Sequence, residues 1–404
     1  MFTRALRTIA ALVLAAALHA PTARAAGDVV KLGVINDQSG LAADTSGAGS
    51  VEATRMAVED FGGKVLGKPI EVLSADHQNR TDIAMPIIGR WLDQEGVDAL
   101  VDVSFTGISL ATQEMIRTKK RIALFNGTIS SDLTNKACSP YGIHWTVDSY
   151  AITHGLGDAL SKPAGATWFF ITQDSLFGAQ LQQETARVIE ANGGKVIGTV
   201  KTPLGETDFA QYLLQAQASG ANVIALATAG TELINELKQA SEFHMNAGKQ
   251  RIAPISLQEP DVHSIGLPII QGAYLVLAFN WNQNDETRAF SKRFWARVGH
   301  PPTQIQAGNY GAVMHYLKAV QAAGTLDADA VAAKMKAMPI NDFMTKDGHI
   351  RADGRVEREL YLFQAKSPAE SQGPWDELRQ IAVIPREKTV RPAAESECPL
   401  MRPR

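Results

Sequence analysis

The chain has 404 residues, 45% hydrophobic and 20% charged, with a formal net charge of −3. These are the proportions of an ordinary globular protein with room for two or three domains. The balance offers no basic patch, which argues against nucleic acid or an anionic membrane surface as partner.

Residues 1–26 read as an export signal. Arg4 and Arg7 give a positive start, 9–18 is an uncharged apolar run, and Ala23-Arg24-Ala25 supplies a small-x-small cleavage pattern. The run is far shorter than the roughly 20 residues of a membrane span, so no membrane anchor is expected. Loss of Arg4, Arg7 and Arg24 with this segment takes the charge from −3 to −6. A protein outside the cytoplasm cannot draw on ATP or NAD pools, which removes many enzyme classes. In an oxidising compartment Cys138 and Cys398 are expected to be bridged, two separate thiols being the alternative.

Strand and helix patterns then alternate. Residues 29–35 form an apolar run, and 50–61 carries Ala53, Met56, Ala57 and Phe61 at helical spacing. Strands are predicted at 69–75, 98–103 and 121–125, with helices over 83–93 and through Ile108, Ala111 and Met115. After 144–148 a second series has strands at 167–171, 195–200 and 222–227. Its helices run through Leu181, Val188 and Ile189, then Tyr212, Leu213 and Ala216, then Leu233, Leu237 and Ala240; Asn192-Gly193-Gly194 stops the first. A late strand falls at 360–365. The alternation predicts an α/β fold of doubly wound parallel sheets. Residues 96–107 and 220–231 share one plan, an apolar strand leading to a small polar loop and a helix, as two similar lobes would. The segments 144–148, 279–285 and 340–358 break the rhythm and read as crossings between lobes. The expected division is lobe 1 at 28–145 plus 281–339, lobe 2 at 146–280 plus 340–390, and an irregular tail at 391–404.

No G-x-S-x-G or H-E-x-x-H motif is present, and no two histidines stand at metal-ligand spacing. Asp44-Thr45-Ser46-Gly47 approaches an aspartic-protease D-T-G with an extra Ser and no second copy. Gly47-Ala48-Gly49 begins a dinucleotide fingerprint, but Glu52 replaces its third Gly. Neither enzyme activity, cofactor nor metal is expected. The chain does offer small polar loops at strand C-terminal ends, where open α/β sheets bind ligands. Ser104-Phe105-Thr106-Gly107 and Asn126-Gly127-Thr128 follow successive strands. Their hydroxyls and backbone N–H groups suit a carboxylate at a helix start, although each loop alone also reads as a plain N-cap. Asp174, Phe177, Thr228 and Gln258-Glu259 would form the opposing wall, with Tyr150 beyond the first crossing and Tyr310 in the helical stretch 309–320. Trp145 and Trp281 read equally as ligand wall or core.

In their order and spacing, several stretches resemble the type I periplasmic solute-binding proteins of ABC importers, in the branched-chain amino-acid-binding (Leu/Ile/Val) family. They are Val30-Lys31-Leu32-Gly33-Val34-Ile35 with Ser39-Gly40, the helix from Gly49 to Asp60, Asp174 to Gly178, Asp208-Phe209, and Ala307-Gly308-Asn309-Tyr310. The likeness runs from Val30 to about Pro385. It implies two lobes joined by three crossings and closing by a hinge on a small-molecule ligand. It places a ligand carboxylate on Ser104, Thr106, Gly107 and Thr128, and an amine-pairing acid in the region of Gln258-Glu259, with Asp174 a further candidate. Glu259 in that place suits an amino acid; Gln258 there suits an amide or an aromatic carboxylate. The family's short-range Cys pair is absent. The resemblance further implies a periplasmic monomer that hands its ligand to an inner-membrane ABC permease, with ligand sensing for a membrane receptor as the alternative role.

Overall fold

The computed structural model describes residues 27–160, 165–245 and 250–402. The export signal expected over 1–26 lies outside them. Among the described residues no helix is long and apolar enough to cross a membrane.

The first lobe contains β1 (Val30–Asn36), α1 (Gly47–Phe61), β2 (Lys64–Val65), β3 (Lys68–Asp76), α2 (Thr81–Arg90), β4 (Ala99–Val101), α3 (Thr106–Lys119), β5 (Ile122–Phe125) and β6 (Gly142–His144). Its sheet has the order β2-β3-β1-β4-β5-β6 and is parallel except at β2–β3. β1, β4 and β5 read as continuous apolar runs because helices cover both faces, and Leu32, Leu100 and Leu124 are fully buried. Gly33 lies so close to the Trp91 ring that an added Cβ would stand 2.6 Å from it.

The second lobe runs through α4 (Ser149–Leu160), β7 (Thr167–Gln173), α5 (Leu176–Ala191), β8 (Lys195–Thr202), α6 (Ala210–Ala218), β9 (Val223–Ala227), α7 (Gly230–Glu242), β10 (Arg251–Pro254), α8 (Glu259–Ile265), α9 (Leu267–Ile270) and β11 (Tyr274–Leu277). The order β10-β9-β7-β8 makes a second parallel sheet. The chain continues through α10 (Asp285–Val298), α11 (Gln304–Ala323), α12 (Ala328–Ala337), the ribbon β12 (His349–Ile350) and β13 (Val356–Glu357), then β14 (Leu360–Ala365) and β15 (Leu378–Ile384). β11, β14 and β15 pair antiparallel in a separate sheet. β15 has no apolar alternation to announce it, since five of its seven residues, 379–383, are exposed.

Three cores organise the packing. Tyr316, Leu317 and Val320 of α11 complete the first-lobe core, and Phe209, Leu226 and Leu233 sit in the second. A third joins Ala53 and Met56 of α1 to Phe170, Phe279, Phe290 and Phe294, so α10 lies at the seam. The expected lobe boundary at 340 moves. Ile340, Ile350 and Val356 pack into the first-lobe core, and Arg355 bridges to His144 at the edge of its sheet. The segment 340–357 therefore belongs with the first lobe, its three apolar anchors hidden among charged turns.

Two crossings are stitched side by side. Arg355 Nε lies 3.3 Å from Asp148 Oδ2, both groups buried, and its Nη1 donates to the carbonyls of His144 and Thr146. Arg358 donates to the Trp145 carbonyl at 2.8 Å and lies over that ring. The tail crosses the same region. Thr389 donates to the Arg358 carbonyl, Arg391 pairs with Glu184 and covers Tyr150, and Glu397 exchanges hydrogen bonds with Asn135. Cys138 and Cys398 are bridged, their Cα atoms 5.8 Å apart across 260 residues. Closing so long a loop is worth about 5 kcal/mol at most in the chain-entropy model. Cys138→Ser is expected to lower the unfolding free energy by several kcal/mol in urea titrations; an unchanged midpoint would mean that the non-covalent tail contacts suffice.

Candidate ligand-binding cleft

The C-terminal ends of β1, β3, β4 and β5 face those of β7, β9 and β10 across a closed cleft. Thr231 N–H points at the Leu41 carbonyl at 3.4 Å, and Gln304 Nε2 donates to Gln258 Oε1 at 2.8 Å. Between the lobes lies a cavity of about 100 Å³. The first lobe contributes Leu41, Ala42, Thr45 and Asn79, then Ser104, Phe105 and Thr106, then Gly127, Thr128 and Ile129. The second contributes Gln173, Phe177, Ala229, Gly230, Ser256 and Gln258, and α11 adds Ile305. None of these side chains carries a charge.

Two helix starts reach the cavity without a capping side chain. Phe105 is the N-cap of α3 and holds φ at 68°, a left-handed conformation that costs a bulky residue energy. Ala229 is the N-cap of α7, followed by Gly230 at φ 57°. Neither side chain offers an oxygen to the first-turn N–H groups; at α7 the Leu41 carbonyl takes the Thr231 N–H, while the start of α3 has no such partner among the described residues. Gly230 is required by the closure itself, because an added Cβ would stand 2.1 Å from the Leu41 carbonyl oxygen.

Behind the first-lobe wall, Ser104 Oγ lies 2.9 Å from Nε2 of buried His77. Asp102 is fully buried, accepts from Asn36 Nδ2 at 3.0 Å, and is pushed up to about 6 by burial. In the second lobe, Gln173 donates to Glu232 and accepts from Ser175, both at 2.6 Å. Ser256 donates to the Thr228 carbonyl at 2.6 Å. These bonds fix which way each neutral polar group faces.

A family model described as Periplasmic binding protein matches residues 29–373. The chain belongs to the periplasmic binding protein family. Its fold is that of type I periplasmic binding proteins, as the sequence resemblance implied. A periplasmic binding protein from Burkholderia mallei is 43% identical, with a TM-score of 0.90, over 92% of this chain and 99% of that one. A branched chain amino acid ABC transporter periplasmic ligand-binding protein from Burkholderia xenovorans LB400 is 38% identical, with a TM-score of 0.82, over 92% and 100%. A solute binding protein of an ABC transporter from R. palustris, in complex with benzoate, shares the fold at 18% identity, with a TM-score of 0.80, over 92% and 99%. No curated protein sequence matches significantly. The family and these relatives are binding proteins, not enzymes, and the relatives from Burkholderia xenovorans and R. palustris are described as ABC transporter components.

Of the residues singled out from the sequence, this binding protein brings Ser104, Phe105, Thr106, Gly127, Thr128, Phe177 and Gln258 to the cavity. The others do not line it. Gly107 lies one residue inside α3, and the Asn126 amide is spent on Asn309 at 2.5 Å. Thr128 reaches the cavity, but its hydroxyl donates to the Val103 carbonyl at 3.0 Å and meets the Ser109 hydroxyl, so it is no free donor to a carboxylate. Tyr150 stacks on His154 under Arg391. Asp174 is exposed and pairs with Lys201 at 2.8 Å. Thr228 donates to buried Glu236 at 2.6 Å. Tyr310 donates to Asp60 at 2.7 Å and packs on Phe290. Glu259 faces a separate small space beside Trp281 and Trp375. Trp145 is core, fully buried beneath Arg358. Leu41, Ala42, Asn79, Ser256 and Ile305 carried no sequence signal; Ile305, in the long apolar α11, reads simply as core.

Two expectations follow. Gly230→Val would put a side chain against Leu41 and hold the lobes apart; ligand affinity should fall by about tenfold or more, with small-angle scattering showing an open form even at saturating ligand. The second concerns pH. Burial pushes Glu236 and Glu259 up to about 8 and Asp261 to about 7, so the folded chain holds protons that the unfolded chain releases near pH 4 to 5. Their stabilising contribution is lost as pH rises through those values. Burial holds His77 and His144 down to about 4, so their contribution is lost as pH falls below 6.5. Above pH 6.5 only the acids act, and calorimetric Tm should fall between about pH 6.5 and 8.5, less steeply in Glu236→Gln. A flat profile in the parent protein would show that these carboxyls are ionised when folded.

Proposed function

We propose that this protein captures a small monocarboxylate with an apolar, aromatic body and no ammonium group, and delivers it in the periplasm to an inner-membrane ABC permease. Export by residues 1–26 is part of the same proposal. The observation that carries the reading is the neutrality of the cavity. A buried ammonium without a carboxylate partner costs several kcal/mol, and Gln258, not Glu259, lines the space. A carboxylate, by contrast, has the Ser104 hydroxyl and the uncapped start of α3 as donors. Leu41, Phe105, Ile129, Phe177 and Ile305 supply apolar walls, and Ser256 and Gln258 suit a polar substituent on the ring.

Leucine is the competing ligand, because the relative from Burkholderia xenovorans is described as a branched chain amino acid ligand-binding protein. Titration calorimetry of ligand-stripped protein with benzoate, 4-hydroxybenzoate, benzamide and leucine separates the two. Benzoates alone should bind; leucine binding with no benzoate response would overturn the proposal. Ser104→Ala should weaken carboxylate binding by about 1.5–3 kcal/mol, the loss of one donor to a charged group. Thr128→Val should lower stability more than affinity, since its hydroxyl serves Val103 and Ser109.

A further inference from the structure

We propose that His77 is a positioning residue that fixes Ser104 as a hydrogen-bond donor toward the cavity, and so favours a ligand group that accepts. The inference deepens the monocarboxylate reading and rests on it for the identity of the ligand, but the tautomer it requires does not.

The argument is one of proton accounting. His77 lies at the end of β3, fully buried. Its Nδ1 accepts from the Asn79 backbone N–H at 3.1 Å, so that nitrogen bears no proton. A neutral ring then carries its proton on Nε2, which lies 2.9 Å from Ser104 Oγ. The ring therefore donates and the serine oxygen accepts. Ser104 has no other hydrogen-bond partner for its own proton among the described residues, and it lines the cavity. Its O–H is left to point at the ligand. A carboxylate accepts that bond, whereas an ammonium could use only the remaining lone pair of the oxygen and would leave the Ser104 proton without a partner. Burial keeps the imidazole neutral, down to about 4, against the pull of Asp37 and Asp76. Gly127 in the next loop leaves the space that Ser104 occupies, since an added Cβ there would stand 2.9 Å from the Ser104 Cβ.

Two measurements test this. In protein labelled with 15N-histidine, long-range proton–nitrogen spectra should show one ring, absent from His77→Gln, with Nδ1 bare and Nε2 protonated at both pH 8 and pH 6, with or without ligand. A protonated Nδ1 or an imidazolium at neutral pH overturns the proposal. Benzoate affinity is then compared in the parent, His77→Leu and His77→Gln. The leucine variant should lose about tenfold or more, and glutamine, whose amide can still donate, should stay within about threefold of the parent. Equal losses in both variants, or none in His77→Leu, overturn the donor role. If the parent binds no benzoate, the monocarboxylate reading fails by itself and the ring spectrum alone decides the place of the histidine's proton.

Discussion

The placement of the two lobes depends on a charge that has no water to turn to. Arg355 is buried on one of two crossings that run side by side, and all its partners, the Asp148 carboxylate and the carbonyls of His144 and Thr146, lie on the other. Removing either partner of such a pair would leave an uncompensated buried ion, which is far costlier than the pair is stabilising. The pair therefore acts less as glue than as a register mark. It fixes where the first sheet ends, at β6, and where α4 departs for the second lobe. Arg358 repeats the device three residues further along, against the Trp145 carbonyl and ring. The disulfide and the Arg391–Glu184 pair then hold the tail over the same region.

With the crossings fixed, the strand ends of both sheets are brought face to face, and small residues decide how closely they approach. Leu41 and Gly230 meet backbone to backbone, and Gly127 leaves the space that Ser104 occupies. The same economy leaves α3 and α7 uncapped. Phe105 and Ala229 stand where a serine or aspartate would ordinarily satisfy the first helical N–H groups. An empty cap at a helix start in a closed cleft is unfavourable unless a ligand's acceptor completes it, and this couples binding to closure.

Much of this was legible in the sequence because it is periodic. The apolar runs of β1, β4, β5, β7 and β9 and the helical spacing between them give two parallel sheets directly. The loops after β4 and β5 could be located because strand ends carry sites in this architecture. What was not legible depends on which way single side chains turn. Thr228 and Glu259 sit beside cavity residues in sequence, yet one successive step at a strand end or helix start sends a side chain into the core or to another space. Tyr310 and Asp174 found nearer partners in Asp60 and Lys201. The segment 340–357 was misplaced because its three apolar anchors are scattered among charges, and β15 went unpredicted because its faces are not distinguished by polarity.

The neutral cavity is surrounded by acids, and their protons explain how both can be true. Glu236 lies behind Thr228, Glu232 behind Gln173, and Glu259 beside Gln258. Each is buried with no cation among the partners that hold it, and burial raises the pKa of all three. A carboxyl at about 8 is predominantly protonated at neutral pH and offers a ligand amine no charge. Had a lysine or arginine been placed among them, the same acids would ionise, yet the pair would still present little net field to the cavity. The electrostatics that a solute meets are then set by the nearest uncompensated dipoles, the starts of α3 and α7, and these favour negative charge. Of these acids, Glu232 orients the wall amide of Gln173 through a hydrogen bond, and the choice of ligand is left to those helix ends.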